Sequence, residues 1–208
     1  SHVNIRSANA APNGEVTSVS YSPDGQYIAA GLDDDTMNIY YAMNLTSVHG
    51  SIDVDVGSGD QVNSVEFSPD SSLVAVSIGR SGNGGTNGQV FLIKVSDGLK
   101  SGSGMNPNGE DQFFDSAFSP DGEMIALAGD GDFYIVNITS RATVYTLTNP
   151  PGSVESIAWS SDGNYIAMCG GWEGGGASFD MYEFSGNSWV RIWEKSTTTS
   201  CYSTGFSY

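Results

Sequence analysis

Positive charge is nearly missing from this chain. Seven lysines and arginines face 24 aspartates and glutamates, and the formal net charge is −17 over 208 residues. A nucleic-acid partner needs a basic surface to displace phosphate counterions, so that class of function is excluded. Histidine and cysteine are equally scarce: His2, His49, Cys169 and Cys201 are the full set. They are too few and too scattered for a His/Cys metal centre of three or four ligands. Neither histidine adjoins a serine or cysteine in a nucleophile motif. The glycine-rich stretch 79–88 has no Gly-Lys-Ser/Thr sequel, so it is not a phosphate loop. No apolar run is long enough to span a bilayer, and no signal peptide stands in these residues. Helical periodicity of useful length is missing throughout. We therefore assign no catalytic residue, no metal site and no cofactor, and expect neither a nucleic-acid partner nor a membrane span.

What is present is one phrase, repeated. Tyr21-Ser22-Pro23-Asp24-Gly25, Phe67-Ser68-Pro69-Asp70-Ser71, Phe118-Ser119-Pro120-Asp121-Gly122 and Trp159-Ser160-Ser161-Asp162-Gly163 are four copies, and Phe206-Ser207-Tyr208 opens a fifth. The period drifts between roughly 40 and 50 residues, the range of quasi-repeated β architectures. Before each phrase lies a run such as Val62-Asn63-Ser64-Val65-Glu66-Phe67. Its alternation of apolar and small polar residues predicts a strand with two unlike faces. Proline presets φ, aspartate bonds the local backbone and glycine tolerates positive φ, so the phrase itself is a tight turn. A second, more continuously apolar strand follows, as in Met124-Ile125-Ala126-Leu127, and reads as buried on both faces. A Gly/Asp-rich loop leads to a third strand at 37–41, 90–95, 133–136 and 179–184, and a more polar fourth strand is clearest at 142–147 and 189–193. Four antiparallel strands per unit make the blade of a β-propeller. The predicted fold is all-β, one propeller segment over 1–208 with blades at 15–56, 61–104, 112–148 and 153–195. Residues 1–8 read as a lone fourth strand and 200–208 as a lone first strand. That pattern predicts either part of a larger propeller or an assembly in which other copies cover the open faces.

The strand–Ser-Pro-Asp-Gly–strand phrase, with an aspartate-bearing loop before the third strand, resembles the WD-repeat propellers over nearly the whole chain. The resemblance implies an aspartate between second and third strands. Asp34 and Asp130 stand there, Asn87 is a weaker match and Gly176 does not match. The family's third-strand tryptophan is replaced by Tyr40, Ile93, Val136 and Tyr182, and the Gly-His pair before the first strand is missing from every repeat.

Few other residues invite a specific role. The sequons Asn44-Leu45-Thr46 and Asn137-Ile138-Thr139 both fall just after a third strand, in an outer turn with room for a glycan. Cys169 follows a second strand and Cys201 begins the next first strand. A disulfide and two separate reduced thiols both fit that placement. The acidic clusters Asp33-Asp34-Asp35, Asp53-Val54-Asp55 and Asp130-Gly131-Asp132 lack calcium-loop spacing. They read as solvated turn residues, with Asp34 and Asp130 bonding local backbone. Trp172, in a glycine-rich loop, is a candidate rim contact for carbohydrate or protein. Broad propeller faces suit protein–protein contact, including contact between like copies. The expected function is a non-enzymatic scaffold or structural module. Composition and sequon placement point to an extracellular, N-glycosylated assembly, fibril or surface component. Two alternatives stand beside it: an intracellular, cytoplasmic WD-repeat scaffold fragment, and the propeller of a secreted hydrolase or lyase whose active site lies outside this segment.

Overall fold

The computed structural model describes residues 14–54, 60–80, 88–148, 153–172, 176–185, 188–197 and 201–206, and among them there is no helix. Fifteen strands form four antiparallel sheets in chain order. The first holds β1 (Val16–Tyr21), β2 (Tyr27–Leu32), β3 (Thr36–Tyr41) and β4 (Ile52–Asp53). The second holds β5 (Asp60–Phe67), β6 (Leu73–Arg80) and β7 (Gln89–Lys94). The third holds β8 (Phe113–Phe118), β9 (Met124–Gly129), β10 (Asp132–Asn137) and β11 (Thr143–Thr148). The fourth holds β12 (Ser153–Trp159), β13 (Tyr165–Trp172), β14 (Gly176–Ser185) and β15 (Ser188–Thr197). Each sheet is a blade, and the propeller fold follows.

Two expected strands differ. The fourth strand of the second blade is reduced to single bridges, Val90 to Met105 and Ile93 to Lys100. Glycines at 102 and 104 and the Asn106-Pro107 pair interrupt any ladder there. Residues 201–206 form no strand ladder, although they lie where a first strand belongs. The lone fourth strand read at 1–8, and also His2, Asp55 and Asn87, lie outside the described residues.

Strict alternation is also not what the first strands do. Their pairing with the second strand shifts between Val16 and Ser18, Val62 and Ser64, Phe113 and Asp115, and Val154 and Ser156. The same one-residue bulge therefore recurs in every blade. It turns Val62, Val65 and Phe67 to one face and Ser64 and Glu66 to the other, which gives β5 its three buried apolar positions. The bulge explains an apolar spacing that a flat strand could not carry.

The turn phrase folds identically four times. Ser22, Ser68, Ser119 and Ser160 each donate their hydroxyl to the aspartate two residues on, at 2.6–2.7 Å. Each also accepts the backbone N–H five residues on, at 2.8–2.9 Å. The aspartate in turn accepts the N–H two residues beyond itself. Glycine supplies the left-handed corner at Gly25, Gly122 and Gly163. Ser71 holds φ 61° at the fourth corner, where its hydroxyl accepts Asp24 N–H from the preceding blade. That bond offsets the steric cost of a β-carbon there.

The core lies between the sheets. Ala29, Met37 and Ile39 of the first blade pack on Val62, Val65 and Val76 of the second. Ala75, Val90 and Leu92 of the second pack on Phe113, Phe118 and Leu127 of the third, and Phe133 and Ile135 of the third pack on Val154, Ile166 and Met168 of the fourth. This is why the second strands are apolar on both faces. It also explains the exposure of β1. Val16 and Val19 are 47% and 67% exposed, whereas their counterparts Val62 and Val65 are at 0% and 4% because a preceding blade covers them.

Candidate functional site

The bulged first strands stand side by side, and what the bulge re-aims builds the site. The residue just after it, three before the aromatic of the turn phrase, is Ser18, Ser64, Asp115 or Ser156. Each of these bonds the next first strand. Ser18 Oγ accepts Val65 N–H at 3.1 Å, and Ser64 Oγ donates to Asp115 Oδ1 at 2.7 Å. Asp115 Oδ2 accepts Ile157 N–H at 3.1 Å and the Ser156 hydroxyl at 3.2 Å. Ser156 Oγ accepts Thr204 N–H at 3.0 Å. Bulge residues add Thr17 Oγ1 donating to Val62 O and Asn63 Nδ2 donating to Phe113 O.

The same register therefore continues into 201–206, which takes the inner place of a fifth blade without pairing as one. A disulfide joins Cys169 to Cys201 with Cα atoms 5.6 Å apart. Cys169 occupies the place that Gly31 holds in the first blade, and Cys201 the place of Val62. A β-carbon on Gly31 would clash with Val62 Cγ1, so at this position the backbone of one blade lies close against a side chain of the next. In the fourth blade the contact is covalent.

These strands and the turn prolines enclose a cleft of about 690 Å³ reaching from Ser18 and Tyr21 to Thr204 and Phe206. Its titratable side chains are Tyr21, Glu66 and Asp115, and no base is among its lining residues. Glu66 is half-buried, and its Oε2 accepts Phe118 N–H at 3.0 Å. Burial and the neighbouring Asp115 charge push its carboxyl up to about 8. Burial also raises Asp115, against the opposing pull of its hydrogen bonds from Ser64, Ile157, Ser116 and Ser156. Asp115 is thus a structural hub that joins three blades. Tyr21 stands 59% exposed at the cleft mouth. At the four turns the carboxyls of Asp24, Asp70, Asp121 and Asp162 lie below their ordinary value, chiefly because a serine hydroxyl donates to each.

A second cavity, of about 450 Å³, opens between the third and fourth blades. It shares Pro120 and Trp159 with the cleft, so the two lie beside each other.

The residues singled out in the sequence sit elsewhere. Asp34 is exposed and accepts the Thr36 hydroxyl at 2.6 Å, so its bond is to a side chain; in that loop it is Asp33 that accepts a backbone N–H, from Glu15. Asp130 is exposed, hydrogen-bonded to Gln112 and raised by burial and by Asp111. On the following strand, β10, Tyr134 donates its hydroxyl to Glu110 Oε1 at 2.6 Å. No group of three or more metal-ligating side chains converges among the described residues. Asn44 is exposed and its Oδ1 accepts the Thr46 hydroxyl at 2.7 Å. Asn137 is half-buried, with Nδ2 directed at Met124 Sδ. His49 is engaged with Val95 O at 2.7 Å. The side chain of Trp172 lies outside the described residues. Ser64, Glu66, Asp115 and Ser156 were not singled out, although stacking the repeats on their turn aromatics places Ser, Ser, Asp and Ser in one column.

A model of the WD domain, G-beta repeat, matches residues 4–40, 51–92 and 141–194. An uncharacterized WD repeat-containing protein of Synechocystis sp. is 25% identical over 159 residues, 76% of this chain and 39% of that protein. The ciliary WD repeat-containing protein ctxp80 of Euplotoides octocarinatus is 31% identical over 105 residues, 48% of this chain and 15% of that protein. The chain thus spans well under half the length of these relatives. Among solved structures, Kuenenia stuttgartiensis hydrazine synthase is similar at a TM-score of 0.74 and 12% identity, covering 95% of this chain and 53% of that one. The Myceliophteria thermophila Cps50 (Swd1) beta-propeller domain is similar at 0.66 and 11%, covering 83% of this chain and 53% of that one. At such identities the likeness is one of fold.

Proposed function

The chain belongs to the WD domain, G-beta repeat family, and on that footing we propose that it is a protein-binding scaffold. Its contact surface is the face that carries the three Ser-Pro-Asp turns, the Ser160-Ser161-Asp162 turn and the cleft among them. The observation that carries this is the cleft itself: about 690 Å³, bearing the carboxyls of Glu66 and Asp115, without a base among its lining residues, and lined in part by Val19 and Tyr21. Apolar side chains beside the protonated Glu66 carboxyl and the serine hydroxyls of the cleft fit a partner that offers apolar and hydrogen-bonding groups. Residues 201–206 stand where the first strand of a second copy would dock on the fourth blade, which argues for a different protein as partner. The test is affinity capture on immobilised protein, with the wild type set against Val19→Glu/Tyr21→Ala. Partners retained by the wild type and lost by the variant support the reading. Identical retention by both would remove the cleft from it.

For the compartment we propose an extracellular, glycosylated setting. The Cys169–Cys201 disulfide supports an oxidising environment, and the exposed Asn44 with its Thr46 contact supports glycan attachment there. Intact mass before and after enzymatic removal of N-glycans tests this. Sugar on Asn44 is expected. A sugar-free native protein with reduced thiols favours the intracellular scaffold instead.

One observation favours a further reading, as part of a secreted hydrolase or lyase. A carboxyl raised to about 8 by burial, on a residue that lines a solvent-open cleft, has the properties of a general acid. Hydrolysis or elimination lost in Glu66→Gln would support it. The four donors on Asp115 leave that residue a structural role.

A further inference from the structure

The cavity between the third and fourth blades differs in chemistry from the cleft. Four aromatic side chains line it: Tyr145 of β11, Trp159 of β12, Phe184 of β14 and Trp189 of β15. They are held in place. Trp159 Nε1–H donates to Gly163 O at 3.1 Å, so the polar edge of the indole is satisfied inside its own turn. Its ring meets Trp189 edge-on at 5.5 Å between centroids, and Trp189 meets Phe184 at 5.3 Å. Tyr145 donates its hydroxyl to Trp189 O. Trp189 is 9% exposed and forms the floor, whereas Phe184 is 49% exposed and forms a wall.

Asp121 of the third blade's turn and Asp162 of the fourth blade's turn also line the cavity, and both are exposed. Their hydrogen bonds hold both carboxyls below the ordinary value, so both are charged at neutral pH. No lysine, arginine or histidine is among the lining residues described. An aliphatic side chain would fill the aromatic part and leave two carboxylates uncompensated. A small anion would be repelled. A cation with an apolar stem satisfies both parts, because aromatic faces attract cations and carboxylates pair with them. The net charge of −17 adds long-range attraction of the same sign.

We propose that this cavity is a subsite for a basic side chain, arginine in type, of the protein partner. The stem lies on Trp159 and Phe184, and the charged head pairs with Asp121 and Asp162. The inference deepens the protein-binding reading above and adds the chemistry of one contact.

The test uses two probes, the tripeptides Ac-Gly-Arg-Gly-NH2 and Ac-Gly-Leu-Gly-NH2, titrated into the ¹⁵N-labelled full chain while the indole N–H signals are followed. The arginine peptide is expected to shift the Trp159 and Trp189 signals saturably, more weakly as salt is raised, and the leucine peptide to leave them unmoved. Asp121→Asn/Asp162→Asn keeps the amide oxygen that closes each turn and removes the charge; the loss of two charged partners is expected to weaken binding about tenfold or more. Phe184→Ala, at an exposed position, keeps the test alive if the aspartate variant misfolds, and the loss of one exposed cation–π wall is expected to weaken binding about fivefold. Equal binding of both peptides, no shift with arginine at millimolar concentration, or arginine shifts that survive both variants would each overturn the proposal. A failed subsite with partner capture still dependent on Val19 and Tyr21 leaves the scaffold reading standing, whereas loss of both removes the two together.

Discussion

Glu66 offers the sharpest check on the physical account of the cleft. Its folded carboxyl titrates at about 8 instead of the ordinary 4.5, first because it is buried and second because Asp115 is close. A group whose folded value lies above its unfolded value holds its proton in the native state after the unfolded chain has released it. Stability from that proton is complete below about pH 4.5 and is lost as pH rises towards 8. At about 1.36 kcal/mol per unit, the full shift is worth about 5 kcal/mol. Glu66 lines an open cleft and is only partly buried as a residue, and water relaxing around the carboxyl reduces the measurable part to about 2 kcal/mol. For a chain of this size that is a thermal midpoint change of about 4–8 °C. Asp115, also raised, acts in the same direction. Glu66→Gln has the same shape, keeps a carbonyl oxygen for Phe118 N–H, and has no charge to bury. Its melting temperature, followed by circular dichroism, is expected to match the wild type near pH 5, to vary less between pH 5 and 8, and to exceed the wild type at pH 8. A variant that is no more stable at pH 8, with a slope equal to that of the wild type, would refute the argument.

Acid should act through different groups. The turn aspartates Asp24, Asp70, Asp121 and Asp162 are lowered, so their contribution is present above the ordinary carboxylate range and disappears as pH falls through the folded values; melting below about pH 4 should show that limb. Ser119→Ala removes a buried hydroxyl that bonds both Asp121 and Met124 N–H, and should cost about 2 kcal/mol in denaturant melts; a loss under about 0.5 kcal/mol would show the turn serine to be incidental. Reduction of Cys169–Cys201, or Cys201→Ser, should release residues 201–206 and leave the inter-blade cores in place. Hydrogen exchange at Thr204 N–H, now held by Ser156 Oγ, should rise by about tenfold or more, and unchanged exchange would mean that the hydrogen bond alone holds the segment.

Much of this molecule was legible because its punctuation is local. Proline, aspartate and glycine each act on the backbone within two residues, so the turns, the strand order and the blade count could be read without long-range knowledge. The serine of the turn phrase was harder, because its acceptor role is set by an N–H five residues on that comes near only after the turn has closed. The bulge was hidden for a related reason. Apolar residues at Val62, Val65 and Phe67 break strict alternation, but the register shift that reconciles them exists only against the second strand. The hub at Asp115 was the least legible. Its partners Ser64, Ser156 and Ile157 lie tens of residues away on neighbouring blades, and nothing in its own segment, Phe114-Asp115-Ser116, marks an inter-blade acceptor.

The repeats are equivalent in fold but not in how their seams are tied, and that difference places the aromatic cavity. Between the first and second blades, Thr17 reaches Val62 O, Ser18 accepts Val65 N–H and Ser20 accepts Phe67 N–H. Between the second and third, Asn63 reaches Phe113 O, Ser64 reaches Asp115 and Glu66 accepts Phe118 N–H. At the seam of the third and fourth blades the corresponding positions are Phe114, Asp115 and Ala117. Neither Phe114 nor Ala117 has a side-chain hydrogen-bonding group, so Asp115 alone of the three ties this seam. From the end of the inner strand β12 outward, the same seam is lined by Tyr145, Trp159, Phe184 and Trp189, large rings whose mutual contacts leave the 450 Å³ cavity open between them. A seam bonded mainly at one residue and packed by rings has fewer directional constraints than one laced by three. A ligand seated among those rings would then add ties between two blades that the chain itself makes sparingly, and occupancy of the cavity should stiffen this seam before any other.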